Sequence, residues 1–399
     1  MDFKNSDAMM SFYEALEIIK SYAQPLDTSR VDLFHCLHRT LAEDVFSDIS
    51  MPPFNKSAMD GYACRESDVN NPLQVIEEIP AGTVPTLTIG ENQCARIMTG
   101  AMVPDGADWV IMKEDVEEIS PDHILCNKEL SKANICYKGE DVEAGDMVLE
   151  KGIQILPAHI AILASVGCVH PLVYNLPTVA IISTGSELVE PGVVPGVSKI
   201  RNSNSYQLMA QVQQMGLLPD YLGIVADDEK SLTQMLAMAV EKYDLTIISG
   251  GVSVGDFDFV PKIMNQLKVN IRVHGMDVRP GKHLLFGERD HHFVFGMPGN
   301  PVSSFVQLEV LVKPFLNVLT GNTRNEPILQ LPLEADYTRK KGKELLFVPV
   351  AINEQGHVRP LEYHGSAHIH AYVNAYGMME IPEGISLIKK GETACVRPL

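Results

Sequence analysis

The decapeptide SGGVSVGDFD at residues 249–258 combines three glycines with two carboxylates. Gly250, Gly251 and Gly255 permit a sharp turn and bring bare backbone N–H groups close to a ligand, which suits a phosphate. Asp256 and Asp258 would repel that phosphate unless a divalent cation lay between them. Magnesium reconciles the two signals, because Mg²⁺ takes one or two carboxylates and completes its shell with phosphate oxygens and water. A plain glycine turn ahead of an Asp-rich helix start accounts for the same residues without any ligand. The letters also spell G-x-S-x-G around Ser253, the nucleophile elbow of α/β-hydrolases, for which Asp277 and one of His283, His291 or His292 could complete a triad. After such an elbow the chain should enter an apolar helix at once, whereas here it meets Asp256, Phe257 and Asp258 first.

Further carboxylates and anion donors follow other strand-like runs. In STGSE at 183–187, Thr184 and Glu187 have the spacing of a capping box, or Glu187 is a carboxylate at a strand end on the same side as Asp258. Asp227-Asp228 is either a helix cap or part of that acidic set. Three acidic loops at the carboxyl ends of strands in one sheet favour a magnesium-phosphate site. In RPGK at 279–282 and GMPGNP at 296–301, Asn300 can cap a helix that starts at Pro301. The same helix N-terminus, with Arg279 and Lys282 nearby, would also make an oxyanion pocket. His368 and His370 would share one face of a strand, yet no further residue has the spacing of a third metal ligand.

These loops need a scaffold that brings strand ends together. From 177 to 320 strand-like runs (178–183, 221–225, 245–249, 283–286, 292–295) alternate with helical ones (205–215, 229–240, 260–267, 302–319). That alternation predicts a doubly wound sheet with helices on both faces, whose ligands bind where strands end. Upstream, 11–23 has helical spacing and 31–45 reads as another short helix, leading into MPPFNKSAMDGYA at 51–63. Residues 73–145 are turn-rich and predict a mostly β domain. The apolar run 153–173, broken by Pro157, His159 and His170, predicts a buried helix packed with the N-terminal ones, so that the β region is an insertion. Short alternating segments after 328 (345–350, 378–381, 393–396) predict a small β-barrel or sandwich. The expected domains are therefore 1–50 with 148–176 (helical linking), 51–147 (inserted β), 177–326 (α/β) and 327–399 (C-terminal β-barrel), a multidomain α/β chain.

Composition narrows the partners. The 399 residues include 32 basic and 51 acidic ones, a formal charge of −19. That charge argues against nucleic acid or an anionic membrane surface as the main partner. Seven scattered cysteines without a C-x-x-C pair fit a reducing compartment, and the opening MDFKNSDAMM lacks a signal peptide's pattern. A cytoplasmic protein is expected.

Taken in order, PPFNKSAMDGYA (52–63), RIMTGAMVPDGAD (96–108), GEDVEAGD (139–146), STGSEL (183–188), SGGVSVGDFD (249–258), RPGK (279–282), GMPGNPVS (296–303) and HGSAHI (364–369) closely resemble the molybdopterin molybdenumtransferase family, the MoeA proteins and the E domain of gephyrin. The resemblance spans almost the whole chain. It implies an α/β molybdopterin-binding domain and the last step of molybdenum cofactor synthesis: adenylylated molybdopterin and molybdate are taken, AMP is released with the help of Mg²⁺, and molybdenum stays on the dithiolene. It further implies that Glu187, Asp227 or Asp228, and Asp258 hold magnesium and phosphate, with Asp60 as a fourth catalytic carboxylate beside Thr99 and Asp141 on the β-domain side. Gly250, Gly251, Ser253, Gly255, Arg279, Lys282, Pro298, Gly299, Asn300, Pro301, Ser303 and Ser366 would contact the pterin, phosphates or molybdate. The family's partners are a second copy of the chain, whose β insertion completes the cleft, the adenylyltransferase that supplies the substrate and the molybdoenzymes that accept the product. Four departures stand out: Phe347 where an arginine is common, Ala371 where some members have serine, Asn55-Lys56 for the commoner Asp-Asn, and His283 where proline is usual. Because phenylalanine cannot replace a bidentate oxyanion donor, a binding or scaffold paralogue with weak catalysis is the alternative reading.

Overall fold

The structure, a computed structural model, describes residues 9–128, 132–252, 259–323, 327–340 and 342–399. The chain divides into two compact units. One comprises Met1–Glu43, Gly152–Pro157 and His170–Leu399, the other Asp44–Lys151 and Ala158–Val169.

The larger unit is built on a six-stranded sheet. Val179–Thr184, Asp220–Val225, Leu245–Ser249 and His292–Met297 run parallel. Leu285–Arg289 and Asn270–His274 extend the sheet as antiparallel strands beyond His292–Met297. The parallel strands read as unbroken apolar runs because both of their faces are covered. On one face Phe286, Phe295 and Phe315 pack with Leu208 and Val306, and on the other Ile182, Ile248 and Val294 pack with Leu236 and Ile263. The helices responsible are Asn204–Gln214 and the apolar stretch Pro301–Leu319 on the first face, Glu229–Lys242 and Val260–Gln266 on the second. Pro301–Leu319 is long and apolar enough to cross a membrane by composition alone, but it forms part of this core, with one π-helical turn at Leu308–Val312.

The doubly wound sheet is thus as expected, with one strand, Asn270–His274, added at its edge. The first helix, Phe12–Tyr22, inserts Phe12, Ala15 and Ile19 into the same core. Residues 31–45 do not form the expected helix. Only a 3₁₀ turn, Leu33–His35, appears there, and the backbone instead bonds to distant strands: the Leu41 N–H donates to the Ile153 carbonyl (3.0 Å) and the Ala42 N–H to that of Leu172 (2.9 Å). The apolar run after Ile153 yields a shorter helix, Pro157–Ser165, in which only Leu163 is fully buried. The C-terminal region supplies five strands of a second six-stranded sheet, centred on Leu345–Ile352, Gly377–Ile381 and Thr393–Pro398, and Val278–Arg279 adds the sixth.

The smaller unit carries its own six-stranded sheet, ordered Trp109–Met112, Gly61–Cys64, Gln93–Ile97, Leu73–Ile79, His123–Cys126 and Val116–Ser120. Gly61 is dictated by close packing, since a Cβ there would lie 1.9 Å from the Ile111 carbonyl oxygen.

Candidate functional site

In the larger unit the parallel strands end in register, Ser183 opposite Ser249 and Ser249 opposite Met297. The loops that follow surround a cavity of about 720 Å³ lined by Thr184, Glu187, Asp227, Gly250, Gly251 and Pro298 among others. A second cavity of about 710 Å³ is lined by Arg279, Lys282, Ser303, Arg339, Lys340 and Ser366 among others. His283, Pro298 and Asn300 line both, so the two cavities adjoin, and the groove denotes the pair of them.

Glycines make its floor possible. Gly250 has φ +100°, and a Cβ there would sit 2.3 Å from the Thr184 carbonyl oxygen. Its N–H donates to the Met297 carbonyl at 3.1 Å, which pins the turn to the neighbouring strand end. At Gly281, φ +102°, a Cβ would meet Gln307 Nε2 at 2.4 Å. That amide donates to the Pro280 carbonyl at 3.1 Å and so holds the RPGK loop.

The acidic side is Glu187 and Asp227. Thr184 Oγ1 donates to Asp227 Oδ1, and the Ser186 N–H donates to Asp227 Oδ2 at 2.8 Å. Asp228 has a different task. It is the N-cap of Glu229–Lys242 and accepts the Ser231 N–H at 2.9 Å, which holds its carboxyl below the usual range. Of this adjacent pair only Asp227 lines the groove. The capping-box explanation of Thr184 and Glu187 fails, because Thr184 ends a strand and a turn follows it. Glu187 and Asp227 are the described carboxylates that line the first cavity, the number that Mg²⁺ takes when phosphate oxygens and water complete its shell. Among the described residues no group of three His, Cys, Asp or Glu converges on one point. Ser253, Gly255, Asp256 and Asp258 lie outside the described residues, and with them the test of the hydrolase elbow.

The basic side is Arg279, Lys282 and Lys340. Arg279 is paired with Glu344 at 3.1 Å. Arg339 is committed to structure, its guanidinium donating to the carbonyls of Ile385, Glu344 and Pro382. Asn300 occupies the N-cap position before Pro301, but its side chain makes no cap bond and donates to Ser366 Oγ at 2.9 Å instead. The Val302 N–H donates to the Ser366 carbonyl at 3.0 Å, so loop 364–369 closes over the helix N-terminus. Gly299 and Pro301 line the first cavity, while Ser303 faces the second.

Two expectations are corrected here. Phe347 does not stand at the groove: it is fully buried and packs edge-on against Phe12, centroids 5.6 Å apart, while the adjacent Leu346 lines the second cavity. Strand alternation puts the two neighbours on opposite faces. Phe347→Arg should therefore bury an unpaired charge and cost more than about 3 kcal/mol, read as a lowered midpoint in chemical denaturation. His368 and His370 are not on a strand but at a 3₁₀ turn, Ile369–Tyr372, and the ring beside His368 is that of His364 (5.3 Å).

Three contributors were not foreseen. Asn204 Nδ2 donates to Ser249 Oγ (3.0 Å) and to the Gly299 carbonyl (2.8 Å), tying two loops of the groove together. Asn202 lines the first cavity and Gln307 supports the RPGK turn. Asparagines at a helix start read as caps, so nothing in the sequence set these two apart.

In the smaller unit Asp60 precedes Gly61–Cys64 at the edge of a cavity of about 360 Å³, with Arg96 and Lys113. Thr99 donates to Asp60 Oδ1 through both its N–H (2.8 Å) and its hydroxyl (2.7 Å), which holds the Asp60 carboxyl low. Asp141 is exposed in a separate turn, its N–H on the Met51 carbonyl, and does not line that cavity.

A doubly wound domain that gathers carboxylates and oxyanion donors at its strand ends has the arrangement of a protein that binds a phosphate-bearing ligand. Comparison makes this specific. Residues 10–167 match the MoeA N-terminal region (domains I and II), 180–318 a probable molybdopterin binding domain, and 330–399 the MoeA C-terminal region (domain IV). The chain is 34% identical over 391 residues to a molybdopterin molybdenumtransferase of Staphylococcus aureus, covering 95% of this chain and 93% of that one. A Staphylococcus epidermidis protein of the same name is also 34% identical, over 394 residues. The crystal structure of a molybdopterin biosynthesis MoeA protein from Pyrococcus horikoshii superposes with a TM-score of 0.81 at 30% identity, covering 98% of this chain and all of that one. The chain belongs to the MoeA family of molybdopterin molybdenumtransferases, and is an enzyme of molybdenum cofactor biosynthesis.

Proposed function

We propose that this enzyme takes adenylylated molybdopterin, breaks the linkage between the pterin phosphate and the adenylate, releases AMP and inserts molybdate at the dithiolene. The observation that carries the reading is that two adjoining cavities divide an acidic side, Glu187 with Asp227, from a donor-rich side, Lys282 with Ser303 and Ser366. Glu187 and Asp227, joined by Asp258, would hold Mg²⁺, which supplies neutralising charge to phosphate oxygens when bound. The turn at Gly250 and Gly251 fixes the phosphates, and Asp227 is itself oriented by Thr184 and Ser186. Lys282 and the Ser303 and Ser366 hydroxyls receive the molybdate oxyanion, a task that does not need an arginine at position 347. Asp60, oriented by Thr99, and Asp141 belong to the second set of substrate contacts. A homodimer in the cytoplasm, working with an adenylyltransferase and acceptor molybdoenzymes, completes the reading.

Lys282→Ala tests the oxyanion end. It should raise the molybdate concentration giving half-maximal AMP release about tenfold or more, since a charged hydrogen bond contributes about 1.5–3 kcal/mol. An unchanged molybdate dependence would remove Lys282 from the site.

A further inference from the structure

Residues 188–201 leave the groove just after Glu187 and return to it. Leu188 pairs with Ile200 and Val189 with Arg201 in a short parallel ladder. The Ile200 N–H donates to the Glu187 carbonyl at 2.9 Å and the Asn202 N–H to that of Val189 at 2.8 Å, so the placement of Glu187 depends on this arm. Between the ladder ends, Val193, Val194 and Val197 face solvent and give the arm little apolar anchorage. Lys199 Nζ bonds the Ser186 carbonyl and Arg201 Nε that of Val193 (3.2 Å), contacts that lie within the arm and its root.

A polar chain ties the arm to the domain. Glu190 accepts Tyr221 Oη at 2.8 Å and Tyr206 Oη at 3.1 Å, one carboxylate oxygen for each. Tyr221 Oη in turn accepts from Asn202 Nδ2 at 2.9 Å. Asn202 Oδ1 receives Ser183 Oγ at 3.1 Å and the Ser205 N–H at 3.3 Å, and the two serine hydroxyls are 2.6 Å apart. Ser183, Asn202 and Ser205 are buried, and Ser183 and Asn202 line the groove. Burial, and then the Glu190 bond, push the Tyr221 hydroxyl well above its ordinary pKa, which keeps it a donor. A connected network in which each member holds the next is rigid, and a partner removed at one end leaves buried groups unpaired.

We infer that Glu190, gripped by Tyr206 and Tyr221, is a positioning residue that latches the 188–201 arm and thereby sets Glu187 at the groove. The inference rests on the reading of Glu187 as a magnesium and phosphate carboxylate. Glu190 touches no substrate in this account and acts only through the arm.

Two readouts on the full chain test it. Lys199 and Arg201 are exposed, so limited trypsin cleavage at these two sites reports release of the arm. Glu190→Ala should speed that cleavage about tenfold, as a local opening becomes easier. The same variant should raise the magnesium concentration for half-maximal AMP binding about tenfold, the scale of lost outer-shell support, with the AMP-release rate at saturating magnesium within about twofold of wild type. Glu190→Gln, which keeps an acceptor oxygen, should recover most of both effects, and the Tyr206→Phe/Tyr221→Phe double variant should reproduce them. Wild-type cleavage in Glu190→Ala would overturn the latch. Faster cleavage with an unmoved magnesium dependence would overturn the positioning role, provided Glu187→Ala does move it. If Glu187→Ala leaves the magnesium dependence unmoved, the assignment of Glu187 falls instead, and cleavage alone decides the latch.

Discussion

Asp227→Asn should lower AMP release at saturating substrate by about 10²–10³-fold while leaving the fold intact, a loss of about 3–4 kcal/mol in transition-state stabilisation. The fold survives because the amide keeps both contacts. Its oxygen accepts the Ser186 N–H, and its NH₂ donates to the Thr184 hydroxyl, which can accept as readily as it donates. What disappears is the negative charge that, in the proposed site, would face a cation and its phosphate. The neighbouring Asp228→Asn should change little, because asparagine caps a helix about as well as aspartate and the Ser231 N–H keeps its acceptor. Steady-state rates and thermal midpoints of the two variants, measured side by side, check the assignment. Equal losses in both would mean that the groove is not where catalysis occurs.

Gly250→Ala should be damaging through the backbone. At φ +100° an L-residue is strained by about 1–3 kcal/mol, and the added Cβ would press on the Thr184 carbonyl at 2.3 Å. Relief requires the Thr184 strand end to move, and Thr184 carries the hydroxyl that orients Asp227. We expect a thermal midpoint lower by about 6–12 °C, from roughly 3 kcal/mol in a domain of this size, together with loss of measurable AMP release. Gly299→Ala provides the comparison, since a Cβ there meets nothing within 4 Å and should leave the midpoint within about 2 °C. If Gly250→Ala and Gly299→Ala unfold alike, the turn is not under the constraint described.

The parallel sheet was legible because its strands are short β-branched runs that end at glycine or acidic loops. Leu245–Ser249, followed at once by Gly250 and Gly251, is the clearest case. Residues 31–45 misled because their leucines and valines recur at near-helical spacing, while the backbone satisfies its hydrogen bonds with Ile153 and Leu172, more than a hundred residues away. No local pattern encodes that pairing. Asp227 and Asp228 could not be told apart by sequence either, since one bond of backbone separates a ligand-facing carboxylate from a helix cap. Nor could the sequence show which way Phe347 faces: a strand puts consecutive residues on opposite faces, and here Leu346 lines the groove while Phe347 is in the core. The motifs fixed which loops matter, and the geometry decided which side chains in them face the groove.

The central claim is tested most directly by AMP release from adenylylated molybdopterin, measured with magnesium present, with and without added molybdate. The account predicts magnesium-dependent release that rises with molybdate, with molybdenum retained on the pterin product. Tight retention of the nucleotide, with no release at any molybdate concentration, would contradict it and mark this chain as a binding member of its family.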